Sequence, residues 1–330
     1  MKKIRVGIIG LGVGYKHFEA YKYSKYADIK KIADFDLKKL KIFKKKNPKI
    51  IISNNASAIT KDPSIDLVSI ASHDEFHYEQ IIESIKFKKN LFVEKPICLT
   101  LKQLNNIEKL INKHKINIES NFVLRTTELF KNISKISKNN KDLYFLEADY
   151  LWGRYKKLFG WRNKTNNFSL ILGGAIHMID LLCFILDMYP TSVTSYSNNI
   201  ALKDTTFKNS TFHLIILKFK NGLIAKVSFN TNSNTKHFHQ LKLYYKNKTL
   251  FHTPQGTNLF VKSHKIKNKL GNYPDKKSRK DLIGNYVKRL YKNNFKYKKN
   301  TRLFCVMRIC FAAIKSEKQK KEIKINYGKN

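Results

Sequence analysis

Three short segments carry the side chains best suited to chemistry. Gly173-Gly174-Ala175-Ile176-His177-Met178-Ile179-Asp180 opens a very apolar helical stretch, and the spacing of His177 and Asp180 puts both on one side of it. Imidazole titrates near neutrality, so His177 suits removal of a hydroxyl proton while hydride leaves the same carbon. The alternative is a buried His hydrogen-bonded to Asp for purely structural reasons. Glu94-Lys95-Pro96 follows the apolar run Leu91-Phe92-Val93. At the carboxyl end of a parallel strand, a Lys can hold a substrate hydroxyl or carbonyl oxygen and stabilise developing negative charge. A solvated strand end followed by a helix-starting Pro is the competing reading.

The third segment is Gly7-Ile8-Ile9-Gly10-Leu11-Gly12-Val13-Gly14-Tyr15-Lys16-His17, placed where a first strand should become a first helix. Gly10 allows the tight turn, and Gly12 lets the backbone approach a pyrophosphate at the helix N-terminus. The third glycine falls one residue earlier than in G-x-G-x-x-G, with Tyr15 in the usual place. Asp34 ends the second strand, 24 residues after Gly10. A carboxylate there bonds ribose hydroxyls and repels a 2′-phosphate, favouring NAD, while Lys38 and Lys39 keep NADP open. Asp36 reads better as an N-cap.

The elements that must position these residues come in two styles. Up to residue 123, short apolar runs (Arg5–Ile9, Ile29–Ala33, Ile50–Ile52, Leu67–Ala71, Leu91–Val93, Ile116–Val123) alternate with helical stretches such as Gln80–Phe87 and Leu101–His114. That alternation means βαβ units and a doubly wound parallel sheet. The second half turns antiparallel: Phe212–Phe219 and Leu223–Phe229 flank the hairpin signal Asn221-Gly222, and Leu143–Leu151, Phe238–Tyr245 and Lys248–Phe251 add strands. Helices are expected at Thr127–Ser137, Gly174–Leu186, Asp281–Tyr291 and Arg302–Lys315, and an exposed loop at Val261–Arg279. The expected fold is α/β: a Rossmann domain over 1–122, then an α+β domain over 123–330 with a large, mostly antiparallel open sheet. The last helix is a candidate to return to the first domain.

Composition narrows the function classes. The 330 residues hold 65 Lys+Arg against 24 Asp+Glu, a net charge of +41, which first suggests nucleic acid. Only eight of the cations are Arg, and the Lys are spread along the chain among Asn and Ile, a pattern of compositional bias. No nucleic-acid partner is therefore expected. Cys98, Cys183, Cys305 and Cys310 form no C-x-x-C pair and read as small buried residues in a reducing compartment. Arg5 interrupts the one signal-like run, and His177 and Asp180 interrupt the one membrane-length run, so a cytoplasmic protein away from membranes is expected.

In order, Gly10-Leu11-Gly12-Val13-Gly14, Asp34, Ala71-Ser72-His73-Asp74-Glu75-Phe76-His77, Glu94-Lys95-Pro96, Gly160-Trp161-Arg162 and the His177-x-x-Asp180 segment resemble the Gfo/Idh/MocA oxidoreductases, the relatives of glucose–fructose oxidoreductase and inositol dehydrogenase. The resemblance implies a bound nicotinamide cofactor, a sugar, cyclitol or nucleotide-sugar substrate, and a homo-oligomer formed through the C-terminal sheet. It implies that Gly10, Leu11, Gly12, Val13 and Gly14 cradle the pyrophosphate and that Asp34 holds the adenosine ribose. Ala71, Ser72, His73, Phe76 and His77 line the cofactor; Glu94 and Lys95 face its nicotinamide end; Asn121, Trp161 and Arg162 add contacts. Lys95 also holds substrate, His177 is the general acid/base, and Asp180 is a substrate or orienting residue. Many relatives place an Asp four residues before the catalytic His; here that position is Gly173, so Asp180 or Lys95 must substitute. The resemblance to a branch with this shortened glycine turn implies surface-glycan sugars as substrates.

Two alternatives stay open: an NAD-dependent glycosidase of the same fold, and a dinucleotide-binding sensor without chemistry. His237-x-His239 offers two imidazoles to a metal but no third ligand, so no metal is expected. His17 either packs against the cofactor loop or is solvated. Arg125 meets an anionic substrate group or makes a salt bridge. Tyr155, Lys156 and Lys157 border a substrate cleft or form a basic surface loop.

Overall fold

A computed structural model describes residues 2–138, 142–165, 168–266, 270–275 and 277–328. By packing, the chain groups into two compact units, Met1–Thr126 with Lys276–Phe304, and Thr127–Asp275 with Cys305–Asn330.

The first unit is built from β1 (Ile4–Ile9), α1 (Gly14–Lys22), β2 (Ala27–Ala33), α2 (Leu37–Lys46), β3 (Ile51–Ser53), α3 (Ser57–Thr60), β4 (Leu67–Ile70), α4 (His77–Lys86), β5 (Asn90–Val93), α5 (Leu101–His114) and β6 (Ile118–Ser120). The strands form one parallel sheet in the order β3-β2-β1-β4-β5-β6. The order reverses between β1 and β4, which opens a crevice at their carboxyl ends where such sheets bind ligands. All four residues of β4 are buried, as a strand covered on both faces requires. Thr100 and Gln103 form a capping box on α5, so that helix starts where its sequence dictates.

The second unit begins with α6 (Glu128–Ser137) and β7 (Leu143–Leu151), followed by α7 (Ile176–Leu186). Its remaining strands are β8 (Ser192–Asn198), β9 (Phe212–Lys218), β10 (Ile224–Asn230), β11 (Phe238–Tyr245), β12 (Lys248–Thr253), β13 (Gly256–Val261) and β14 (His264–Ile266). The chain then forms α8 (Ser278–Lys292), which belongs to the first unit, and α9 (Thr301–Gln319), and ends with β15 (Ile323–Lys324). The nine strands run β14-β13-β12-β11-β7-β10-β9-β8-β15, antiparallel except for the β7–β10 pair. Buried residues alternate with partly accessible ones along β9, β10 and β11, the period of a sheet covered on one face. Among the described residues no helix is long and apolar enough to cross a membrane. The four cysteines are free and buried.

Several boundaries differ from the sequence-based expectation. The strand expected over Ile116–Val123 ends at Ser120, because Phe122 N–H folds back onto the Ser120 carbonyl at 2.7 Å and a 3-10 turn follows at Val123–Thr126. The helix expected from Gly174 begins at Ile176 after a π turn at Ile171–Ala175. A side chain on Gly174 would come within 2.2 Å of the Phe229 ring, so the turn uses a glycine to lie against β10. The expected loop Val261–Arg279 contains β14 and the start of α8, while 267–269 and 276 lie outside the described residues. Edge pairing with β13 is a main-chain interaction and needs no apolar pattern. The segment 276–304, placed with the C-terminal domain by a division at 122, packs with the first unit: Leu282, Ile283, Tyr286 and Val287 of α8 share a core with Phe18 and Tyr21 of α1. The early part of α9 to Phe304 groups there too, and the rest with the second unit.

Candidate functional site

In the first unit the glycine turn, Asp34 and the end of β4 meet at the reversal of strand order. Gly10 has φ +94°, and a Cβ there would lie 2.4 Å from the Ala71 carbonyl oxygen, so only glycine fits. A Cβ on Gly12 would meet nothing within 4 Å, which leaves its backbone open to a ligand. No side chain caps α1, so the amides of its first turn keep their partial positive charge for an anion. Asp34 is 6% exposed and accepts hydrogen bonds from the Leu11 amide at 2.5 Å and the Asp36 amide at 2.8 Å. The acid is therefore tied to the turn it was expected to serve, and its remaining lone pairs can still accept from a hydroxyl. Asp36 caps α2, accepting from the Lys38 and Lys39 amides. Beyond Asp34 lies an exposed aromatic face, with Phe35 5.6 Å from His73 and His73 stacked on Phe76 at 6.3 Å.

The loop after β4 is braced from beneath. Ser72 Oγ donates to Gln80 at 2.7 Å. His77 is fully buried, its ring nitrogens facing the carbonyls of Pro96 at 2.7 Å and Ser72 at 3.2 Å. It was expected to line the cofactor; its place is instead that of a clasp between the 71–76 loop and Pro96. Ala71 packs under Gly10 and Gly14.

At the carboxyl ends of β5 and β6 sits a buried polar network. Glu94 Oε1 receives hydrogen bonds from His17 Nε2 at 3.0 Å and from Asn121 Nδ2, and His17 Nδ1 pairs with Ser69 Oγ at 3.0 Å. Burial opposes the charge on Glu94. The hydrogen bond from His17, with His17, Arg279 and Lys95 nearby, outweighs it and holds the carboxyl at about 2. His17 is 0% exposed, which excludes the solvated alternative. Its signal was position: three residues after Gly14, one turn into α1, it faces the sheet. Ser69 had no signal, being one polar residue in a buried strand. Lys95 is partly exposed beside Glu94, joined to Pro96 by a cis peptide bond. Arg125 lies over the Phe122 ring at 4.8 Å.

In the second unit His177 is partly exposed and Asp180, one turn on, is 1% exposed. A Cβ on Gly173 would make ordinary contact with Phe168 at 3.5 Å, so no steric demand explains this glycine. Tyr150 of β7 lies beside His177, with ring centroids 6.0 Å apart, stacks on His239 at 4.2 Å, and bonds His237 Nε2 through its hydroxyl at 2.8 Å. His239 Nδ1 pairs with the Tyr273 hydroxyl. Burial, helped by Arg154 and Lys157, pushes His237 down to about 4, and burial pushes His239 well below the ordinary histidine value. The two imidazoles are thus committed to tyrosine hydroxyls. Among the described residues no group of three or more His, Cys, Asp or Glu is disposed to hold a metal ion. Tyr150 was missed because an alternating strand pattern marks it only as core. Trp161 and Arg162 form a 3-10 turn, the guanidinium 4.3 Å over the indole, with Arg162 donating to the Lys157 carbonyl at 3.3 Å. Tyr155, Lys156 and Lys157 are exposed on the preceding turn.

Residues 4–122 match the family model described as "Oxidoreductase family, NAD-binding Rossmann fold", and residues 142–251 match the "GFO/IDH/MocA C-terminal domain". The chain belongs to the Gfo/Idh/MocA family. It is 25% identical over 242 residues to an uncharacterised oxidoreductase, YrbE, of Bacillus subtilis (strain 168), covering 68% of this chain and 67% of that one. It is 24% identical over 241 residues to the 2,7-anhydro-N-acetylneuraminate hydratase of Escherichia coli (strain K12), covering 70% and 63%. The match thus spans about two thirds of each relative's length. A levoglucosan dehydrogenase solved with NADH and levoglucosan shares the fold, with a TM-score of 0.83 at 15% identity over 98% of this chain and 100% of that one.

As a member of this oxidoreductase family the chain is an NAD(P)-dependent enzyme, and its own residues fit the cofactor. The open backbone at Gly12, the uncapped start of α1 and the Asp34 carboxylate match a pyrophosphate and a ribose. The Asn121 amide oxygen, an acceptor, is buried without a partner among the described residues.

Proposed function

We propose that this oxidoreductase transfers hydride between nicotinamide and a carbinol carbon of a sugar, cyclitol or nucleotide sugar. The observation that carries the reading is the Asp34–Leu11 hydrogen bond, which joins acid and glycine turn into one dinucleotide cradle. The nicotinamide supplies the hydride acceptor or donor. Gly10, Leu11, Gly12, Val13 and Gly14 hold the pyrophosphate, Asp34 the adenosine ribose, and the 71–76 loop with Phe76 and His73 the adenine side. Lys95 holds the substrate oxygen, favouring the alkoxide-like charge that develops as the C–H bond breaks. His177, beside the Tyr150 and His239 rings, removes or returns the hydroxyl proton. Asp180 orients the helix turn that carries His177, and Trp161 and Arg162 add cofactor contacts. The substrate class is supported by the family and by the levoglucosan dehydrogenase of the same fold. A homo-oligomer through the C-terminal sheet, with surface-glycan sugars as substrates, completes the proposal.

The test is turnover. A panel of sugars, cyclitols and nucleotide sugars is screened by nicotinamide absorbance; with the best substrate, Lys95→Ala and His177→Ala should each lose about 10²–10⁴-fold in kcat while NADH binding persists. Variants that turn over like wild type would refute the assigned roles. The hydratase among the relatives favours one second reading, transient oxidation without net redox change, as in an NAD-dependent glycosidase. Product formation without accumulating NADH would select it.

A further inference from the structure

Two carboxyl-end residues of the parallel sheet are joined by a hydrogen bond whose polarity is forced. Glu94 and Asn121 follow β5 and β6; the Glu94 amide bonds the Ile70 carbonyl at 2.8 Å and the Asn121 amide bonds the Val93 carbonyl at 3.1 Å. An ionised carboxylate only accepts, so the groups facing Glu94 Oε1 must both donate. One is His17 Nε2–H. The other is the Asn121 NH2, and its amide plane then turns the oxygen away from Glu94. That oxygen has no partner among the described residues, although Asn121 is only 2% exposed. A buried acceptor left unmade is costly, and a ligand carrying an N–H or O–H relieves the cost.

We propose that Ser69, His17 and Glu94 form a positioning relay that locks Asn121 with its oxygen outward, making it an acceptor for a donor on the nicotinamide riboside half of the cofactor. The inference rests on the dinucleotide reading and adds residues that act through others: Ser69 fixes the His17 ring, His17 fixes Glu94, and Glu94 fixes the amide. The arrangement ties α1, whose N-terminus carries the pyrophosphate cradle, to the opposite end of the bound dinucleotide. The donor is either the carboxamide N–H or a ribose hydroxyl. Both present the same chemistry to an amide oxygen.

Binding measured by nicotinamide fluorescence separates the outcomes. Wild type, Glu94→Gln, Asn121→Leu, His17→Gln and His17→Leu are titrated with NADH and with the reduced 3-acetylpyridine analogue, which keeps the ribose and lacks the carboxamide N–H. Glu94→Gln keeps the shape but can donate as well as accept, which frees Asn121 to flip. If the carboxamide is the donor, wild type prefers NADH by about tenfold, the worth of one hydrogen bond, and the preference collapses in Glu94→Gln and Asn121→Leu. If a ribose hydroxyl is the donor, wild type binds both equally and those variants weaken both alike. His17→Gln, which keeps a donor toward Glu94, should behave as wild type in either case, while His17→Leu should behave as Glu94→Gln. Folded Glu94→Gln and Asn121→Leu proteins that bind both ligands as wild type does would overturn the relay. Wild type that binds neither ligand would overturn the dinucleotide reading itself.

Discussion

Two regions of this protein bury titratable groups, and they treat charge in opposite ways. Around Glu94, burial is outweighed by donors and cations, and the carboxyl stays ionised with a value of about 2. Around Tyr150, burial wins: His237 falls to about 4, His239 falls well below its ordinary value, and the Tyr150 and Tyr273 hydroxyls rise even with Arg154 nearby. Arg154 adds to the depression of both histidines. The comparison teaches that burial does not decide protonation; the partner does. An ionised acceptor beside Lys95 fixes polarity at the cofactor end. The imidazole and phenol cluster beside His177 is held neutral by burial, and His177 itself is partly exposed.

The largest way to break this contrast is to remove the charge where it is held. Glu94→Ala leaves the His17 and Asn121 donors buried without their acceptor, and should cost about 3–5 kcal/mol of unfolding free energy in denaturant titration. Glu94→Gln should cost clearly less, since it still accepts from one of them. Equal losses would mean the pair is held by packing alone.

The acid limb of the stability profile sharpens the comparison. A histidine whose folded value lies at about 4 against an ordinary 6.5 takes up its proton in the unfolded chain first. His237, and His252 buried on β12, therefore exact no penalty above pH 6.5, and stability falls as pH drops from 6.5 toward 4. The Glu94 contribution runs lower: it is full above the ordinary 4.5 and is lost as pH falls toward 2. Equilibrium unfolding across this range should show the first fall flattened in His237→Gln and the second flattened in Glu94→Gln. A profile unchanged in His237→Gln would place the early fall elsewhere. The smallest effect is expected from Tyr150→Phe, which removes one neutral hydrogen bond to His237 and should cost about 1 kcal/mol. A loss several times larger would show that the hydroxyl organises the whole cluster.

Much of this arrangement was legible in the sequence, for particular reasons. The six parallel strands declared themselves because each is an apolar run bounded by a helix-length amphipathic stretch, and Asn221-Gly222 declared its hairpin because Gly222 needs φ +85°. Asp36 was readable as an N-cap from its place before a helix and caps α2, while Asp34, at the end of the second strand, accepts from the Leu11 amide of the glycine turn. Side-chain partners across the sheet were not legible. Ser69 on β4, His17 on α1 and Asn121 after β6 are 52 and more residues apart in pairs, and only the strand order brings them to Glu94. His77 was legible as a site residue by position, yet its two backbone carbonyl partners made it a clasp. The return of α8 to the first unit escaped for the same reason: an amphipathic pattern shows that a helix buries a face, not which sheet covers it.

Titration of the purified protein with NADH and NADPH, beside Asp34→Ala, tests the dinucleotide cradle most directly. Saturable binding of NADH, reported by nicotinamide fluorescence, is expected, weakening by about tenfold or more in the variant. Folded, cofactor-free protein that binds neither dinucleotide, or a variant that binds NADH as tightly as wild type, would contradict it.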